Sequence, residues 1–390
     1  MNISLGKQSV IVGVGESPLG KTPALDALSL QRKAANSALM DAGLELKDVD
    51  GLITSPLRVA NWAMPCAMVA QGLGLTPKYL MTMDMAGATG CAMIHQAMMA
   101  IASGQCETVL CVAGQNLLSF SSNGKAIEKM ADAGWAHPDY EAPLGPLVPT
   151  LYALIAQRHM HEFGTSQQQM AKVAVSIRDH AIRNPLAFKR EAISVEDVLS
   201  SKMVTSPLKV LDCAIITDGA AAFIVTTKER ARDLKKNPVD LLGQGYGYSH
   251  TFIGETQCLT TTGAVHSGRD AFMHAQVDRK DINVAQLYDC FTITVIVELE
   301  DLGFCGKGEG GAYVEEVGIG LNSVMPVTTH GGLLSCAHPG TAGGMMHVIE
   351  AVRQLRNEAT GRQVPNAKLA LVHGNGGIIG LHCTLILGNL

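Results

Sequence analysis

ATGCAMIHQAMMAI at residues 88–101 and GTAGGMMHVIEAV at residues 340–352 are the two stretches whose comparison decides the architecture. Each opens on glycine and other small residues and runs on as an apolar helix. Each is followed by a turn and an apolar strand, Thr108–Val112 after the first and Lys368–His373 after the second. A unit that occurs twice in one chain predicts two similarly folded halves, with ligands at the loops where the halves meet.

Outward from the first copy, Ser9–Val14 reads as a strand and Ala24–Ala42 as a helix, with Pro23 at its first turn and Gly43 as its stop. Val49–Ile53 and Tyr79–Met83 read as strands, so strand and helix alternate as in a layered α/β domain. From Asn116 to Met203 the texture changes. Pro138, Pro143, Pro146 and Pro149 punctuate it, and helices are predicted over Leu151–Phe163, Gln167–Arg183 and Val195–Ser200. Residues 116–203 are therefore read as an inserted helical subdomain. It divides the first half into 1–115 and 204–232, and the second half spans 233–390.

The 390 residues are 47% apolar and 17% charged, enough for a large core, and the formal charge of −5 argues against a nucleic-acid binder. No run reads as a membrane span, and no signal-peptide pattern opens the chain. Ten cysteines occur without a CxxC pair or a Cys/His cluster of zinc spacing. The reading is of reduced thiols in the cytoplasm and no metal site. Residues 13–20 do not complete a GxGxxG and no Walker motif exists, which disfavours a nucleotide cofactor.

Four loops at expected strand ends carry candidate chemistry: Ala86–Gly90, Tyr288–Phe291, Cys336–Gly340 and His373–Gly377. Gly87 lets a ligand approach the backbone, and N–H groups at a helix start stabilise an oxyanion. Tyr288 and Asp289 bring a phenol and a carboxylate to a strand end. His338 before Pro339 is an imidazole in a restricted turn. Cys91, Cys290 and Cys336 are the candidate thiol nucleophiles, each needing a lowered pKa to act.

In order along the chain, ATG at 88–90, TDGAAA at 217–222, YDCF at 288–291, HGGLLSCAHP at 330–339 and HGNGG at 373–377 resemble the thiolase superfamily. The nearest branch is that of the sterol-carrier-protein-x thiolases and their lipid-transfer relatives. The resemblance implies a five-layer α/β/α/β/α sandwich of two βαβαβαββ halves with an inserted loop subdomain, and a homodimer. It also implies an acyl-CoA substrate, with coenzyme A as part of the substrate rather than a permanently bound cofactor. The departures are specific. A thiolase carries its nucleophilic cysteine where this chain has Gly87, and the branch's HisAspCysPhe motif opens here on Tyr288. The second cysteine of ordinary thiolases falls near His373, as a histidine does in that branch. Taken together this is similar to the aldolase-type members of the branch, which cleave a β-hydroxyacyl-CoA and pair with a small zinc-ribbon and OB-fold protein. The second tyrosine of the steroid side-chain aldolases falls at His338, a departure from the steroid pattern.

Retro-aldol cleavage needs a base for the β-hydroxyl proton, an oxyanion site for the thioester enolate and an acid to protonate it; it needs no nucleophile. Tyr288 or His338 is read as the base, the other as acid or hydrogen-bond donor. Gly87 and Gly377 supply backbone N–H groups, and His373 orients or relays protons. Two other readings stand beside this one: a thiolase whose displaced nucleophile is Cys91, Cys290 or Cys336, and a non-catalytic acyl-CoA or lipid binder. Arg178, Arg183, Lys189 and Arg190 are the candidates for the phosphates of coenzyme A.

Overall fold

The computed structural model describes residues 8–57, 62–120 and 134–389; the part of the expected insert at 121–133 lies outside them. The first half is built on a sheet of β1 (Ser9–Glu16), β2 (Gly51–Thr54), β3 (Tyr79–Thr82), β4 (Thr108–Asn116) and β7 (Asp218–Thr227), in the order β1-β7-β4-β2-β3. β7 runs antiparallel to both of its neighbours, whereas β4, β2 and β3 are mutually parallel. The second half repeats this. β8 (Asp240–Tyr248), β11 (Leu381–Gly388), β10 (Leu369–Gly376) and β9 (Val284–Leu287) are ordered β8-β11-β10-β9, with β11 antiparallel to both neighbours and β10 parallel to β9. A single parallel bridge from Ala285 to Val327 stands where β3 stands in the first half.

Helices α3 (Thr89–Ala102) and α9 (Ala342–Leu355), the two stretches that echo each other in sequence, pack side by side between the sheets. Helix α1 (Ala27–Ala42) covers the outer face of the first sheet, and α7 (Ala264–Ala275) that of the second. These are the five layers. The two-residue period of a strand distributes its side chains between them. Val10 and Val12 join the cluster under α1 while Ile11 joins the central helices, and Ala370 and Val372 face inward while Leu371 faces outward. Strands buried on both faces read as continuous apolar runs. That is why β7, which is buried along its whole length, is DGAAAFIVTT.

Helix α1 starts later than its sequence pattern predicts. Asp26 is its N-cap, accepting from the Ser29 N–H at 2.7 Å, so Pro23 lies in the turn before the helix and not in its first turn. Gly43 ends it in the left-handed conformation at φ 72°. The insert contains α4 (Val148–Phe163), α5 (Gln167–Ile182) and α6 (Val195–Ser200), followed by a small hairpin of β5 (Met203–Thr205) and β6 (Leu208–Lys209). Ser166 and Gln169 form the capping box that starts α5. The loops after β3, β9 and β10 all emerge at carboxyl ends of parallel strands, where open α/β sheets bind their ligands.

Candidate active site

Tyr288 is the first residue after β9, and within four residues the chain enters α8 (Thr292–Asp301). The Thr294 hydroxyl accepts from the Phe291 N–H at 3.0 Å and donates to the Phe291 carbonyl, which closes this turn. Tyr288 is thereby held, 6% exposed, with its hydroxyl 3.2 Å from Nε2 of His338. His338 arrives from the second half's other loop. Residues 332–336 form a wide π-helical turn, Ala337 returns to extended backbone, and His338 then pairs with Thr217. The His338 N–H donates to Thr217 Oγ1 at 3.0 Å, and the Thr217 N–H donates to the His338 carbonyl at 3.3 Å. The TDGAAA segment thus supports the imidazole through its threonine.

Gly87 lies in the turn between β3 and α3, which Thr89 stabilises by accepting from the Met85 N–H at 2.8 Å. A side chain at Gly87 has no room. A Cβ there would lie 2.5 Å from the Tyr288 hydroxyl oxygen, and still closer to Tyr288 Cζ and to the Asn375 carbonyl oxygen. The phenol fills the space into which a residue at position 87 would project.

These groups line one cavity of about 350 Å³. Tyr288, His338, Asn375 and the backbone of Gly87 and Gly377 form one part of its wall. Leu117, Trp135, Val148, Val204, Ile216 and Phe291 supply apolar surface. Tyr152 of α4 also lines it, donating to the Gly377 carbonyl at 3.2 Å and accepting from the Ile379 N–H at 3.2 Å. The sequence reading missed Tyr152; its only signal was a phenol on an otherwise apolar helix face. Asn375 was inside the quoted HGNGG segment without a role. Its amide donates to Glu298 Oε1 at 2.5 Å.

Burial sets the protonation of the site. It pushes the Tyr288 phenol well above its ordinary value, with Cys290 and the carboxyls of Asp289 and Glu298 adding to the effect. Burial lowers His338 from 6.5 to about 4. Near neutral pH the pair is therefore a phenol that can donate and a neutral imidazole that can accept.

Other sequence candidates lie elsewhere. His373 is not on the cavity wall. It is fully buried in β10, with Nδ1 2.8 Å from Thr384 Oγ1 and Nε2 3.1 Å from His382 Nδ1. It reaches toward the site only through Glu298, whose Oε1 is 3.9 Å away. Cys91 and Cys336 are also buried away from the wall: Cys91 faces inward from α3, and Cys336 accepts from Asn184 Nδ2 at 3.5 Å. Cys290 does line the cavity, but burial pushes its thiol up to about 12. Of the four basic candidates, none borders the cavity. Arg178 is consumed internally, donating to Ser335 Oγ at 2.7 Å and to the Glu191 carbonyl at 3.0 Å. Arg183, Lys189 and Arg190 are exposed; Lys189 sits over the Phe188 ring, and Arg190 lines a separate shallow groove. Only Arg178 lies on α5; Arg183 is its C-cap, and Lys189 and Arg190 follow in the loop after it. No helix among the described residues is long and apolar enough to cross a membrane.

The family profile for the thiolase N-terminal domain matches residues 9–229, and the thiolase C-terminal domain-like profile matches residues 245–389. The chain belongs to the thiolase family. Among its thiolase relatives, an acetyl-CoA acetyltransferase of Methanothermobacter thermautotrophicus is 32% identical, the match covering 95% of this chain and 98% of that one. A 17-hydroxy-3-oxo-4-pregnene-20-carboxyl-CoA lyase of Mycobacterium tuberculosis is 35% identical, over 90% of this chain and 92% of that one. A solved structure described as an Ltp2-ChsH2(DUF35) aldolase superposes with a TM-score of 0.87 at 31% identity, covering 99% of this chain and 98% of that one. The thiolase fold, with its two repeated halves, is thus the architecture of this chain, and its relatives divide between acyl transfer and lyase chemistry.

Proposed function

We propose that this thiolase-family protein is an acyl-CoA carbon–carbon lyase that cleaves a β-hydroxyacyl-CoA by retro-aldol reaction, without an acyl-cysteine. The observation that carries the reading is the Tyr288 phenol lodged where a residue at position 87 would project, its hydroxyl 3.2 Å from the His338 imidazole. A neutral His338 accepts the Tyr288 proton as the phenol oxygen takes the proton of the substrate's β-hydroxyl. The O–H electron pair becomes the new carbonyl, and the Cα–Cβ bond breaks toward the thioester. The N–H groups of Gly87 and Gly377 stabilise the enolate oxygen. The proton held by His338 returns through Tyr288 to the enolate carbon. The products are a carbonyl compound and a shorter acyl-CoA, and no oxidant or reductant enters. The apolar lining favours a hydrocarbon substituent at the carbinol carbon.

The acyl-transfer reading keeps one observation in its favour, that Cys290 lines the cavity, and the acetyltransferase relative agrees with it. A thiol pushed up to about 12 is a poor nucleophile near neutral pH, so we rank it second. The companion protein is part of the proposal, supported by the paired name of the aldolase structure; its zinc-ribbon and OB-fold identity rests on the family resemblance alone. A homodimer is proposed too, supported by the exposed apolar side chains of Met64, Met68 and Leu80 beside the edge strand β3. Cytoplasmic placement is carried over from the cysteine usage.

The test combines two measurements. The protein is incubated with β-hydroxyacyl-CoAs, with and without the companion, and both cleavage products are quantified. Its intact mass is measured after exposure to acyl- and β-ketoacyl-CoAs. Cleavage that falls by about 100-fold or more in Tyr288→Phe and His338→Ala, with no acyl adduct, is the expected result. An adduct on Cys290 that coenzyme A removes, or near wild-type cleavage in both variants, would overturn the reading.

A further inference from the structure

The residue after Tyr288 grips the loop that carries His338. Asp289 is fully buried, and its two carboxylate oxygens accept from consecutive backbone N–H groups of that loop, Oδ1 from Leu333 at 2.8 Å and Oδ2 from Leu334 at 3.1 Å. These are the second and third residues of the π-helical turn over 332–336 that ends two residues before His338. Gly332 opens the turn at φ 55°, and a Cβ on it would lie 2.5 Å from Asp289 Oδ1. The carboxylate therefore lies against the turn's first Cα and caps its first free N–H groups. On its other side, His347 of α9 puts Nε2 3.6 Å from Asp289 Oδ1 and its ring 5.8 Å from the Tyr288 ring, behind the phenol.

The rest of the turn is held from the insert and the first half. Arg178 and the Lys189 N–H bond Ser335, the Ile215 N–H donates to the Leu333 carbonyl, and Thr217 pairs with His338. Those contacts fix the turn relative to other elements. None of them refers to Tyr288. Asp289 shares a peptide bond with Tyr288 and two hydrogen bonds with the turn, so it links the two halves of the phenol–imidazole pair by the shortest route.

We propose that Asp289 is a positioning residue that sets the Tyr288–His338 separation by holding the N–H groups of Leu333 and Leu334. It deepens the lyase reading and rests on it for the substrate used in the kinetic test. A geometric shift of about 1 Å at such a pair can cost about 100-fold in turnover.

Three variants test this: Asp289→Asn, which leaves one acceptor oxygen and turns an amide N–H₂ toward a backbone N–H; Gly332→Ala, which displaces the carboxylate from the opposite side; and the double variant. The expected result is that each single variant lowers kcat about 10-fold or more while KM for the thioester changes less than about twofold. The double variant should be no worse than the poorer single, because both break one contact. Histidine-selective ¹⁵N NMR of the unliganded protein provides a readout that needs no turnover: the Tyr288 hydrogen bond to His338 Nε2 should be lost in both singles. If Asp289→Asn does not fold, Gly332→Ala with the NMR readout still decides the matter. A retained Nε2 hydrogen bond, unchanged kcat in the folded variants, or additive losses in the double variant would overturn the proposal. A wild type that cleaves no β-hydroxyacyl-CoA would overturn the lyase reading instead, and the NMR result would stand separately.

Discussion

Placing even a methyl group at Gly87 should damage the protein in a way the geometry specifies. The added Cβ would lie 2.5 Å from the Tyr288 hydroxyl oxygen and closer to two further atoms, Tyr288 Cζ and the Asn375 carbonyl oxygen. Non-bonded carbon contacts are optimal at about 3.5–4.0 Å, so the overlap is about 1 Å or more at each. The two obstacles differ in kind. The Tyr288 ring can swing aside, at the expense of its hydrogen bond to His338. The Asn375 carbonyl cannot, because it belongs to β10, where Asn375 pairs with His382 of β11. Gly87→Ala should therefore cost about 1–3 kcal/mol of stability, the range found when a tight interior is overfilled. Moving the phenol by about 1 Å should also lower turnover by about 100-fold. Urea unfolding and product quantification on the same preparations measure both. Adding Gly87→Ala to a Tyr288→Ala background should cost less than it does in the wild type, by about 0.5 kcal/mol or more, because one obstacle is gone. The remaining cost reports the carbonyl. If Gly87→Ala unfolds within about 0.5 kcal/mol of wild type and turns over normally, the complementarity argued here does not exist. Gly87→Cys is the sharper version: a stable acyl adduct on that thiol would show that position 87 is open to a nucleophile after all.

Three further outcomes follow from the protonation states. His338 titrates at about 4 in the folded protein, so its neutral form persists well below pH 6.5, and kcat/KM should hold to about pH 5 before its acid limb; a limb centred near 6.5 would remove His338 as the proton acceptor. Burial also lowers His180 and His382 from 6.5 to about 4, and holds His330, His347 and His373 well below their ordinary value. The unfolded chain thus binds these protons first as pH falls. Stability should be complete above pH 6.5 and be lost progressively toward pH 4, and a urea midpoint that stays flat across that window would contradict the buried neutral histidines. Exposed Cys258 should be alkylated first: burial raises its thiol, but hydrogen bonds from Thr260 and Thr261 leave it below its ordinary value, whereas burial raises Cys213 and Cys290 to about 12. Peptide mapping should find Cys258 labelled with activity intact, and early labelling of Cys290 with loss of activity would contradict this.

The layered architecture was legible because its signals are local and repeated. Small residues followed by an apolar helix and an apolar strand mark α3 with β4 and α9 with β10, and both helices lie where the echo puts them. The boundary of α1 was misjudged because Pro23 and Asp26 compete as start signals, and the Asp26 side chain wins by satisfying a free N–H. At the site, Tyr288, His338, Gly87 and Gly377 could be named from their loops, and they share one cavity. His373 could not be sorted from them. The two-residue period puts His373 and Asn375 on the same face of β10, so it does not separate them; what does is depth along the strand, Asn375 lying at the cavity end while His373, one pair further in, meets Thr384 of β11. Of the basic residues of the insert, only Arg178 lies on α5, and it turns inward to Ser335 and the Glu191 carbonyl, a contact between segments distant in the chain.

The amino-acid order by itself determined that this chain folds as two repeated α/β halves with an insert, and that no cysteine stands at position 87. Those are properties of residues close together in the chain, read from periodicity and from one missing atom type. What only the tertiary structure decided is what replaces the thiol. Position 87 and position 288 come from different halves, and their loops meet only when α3 and α9 pack between the two sheets. The phenol then occupies the space that a side chain at Gly87 would need. Burial, a property of the packed molecule, leaves that phenol protonated and its imidazole partner neutral.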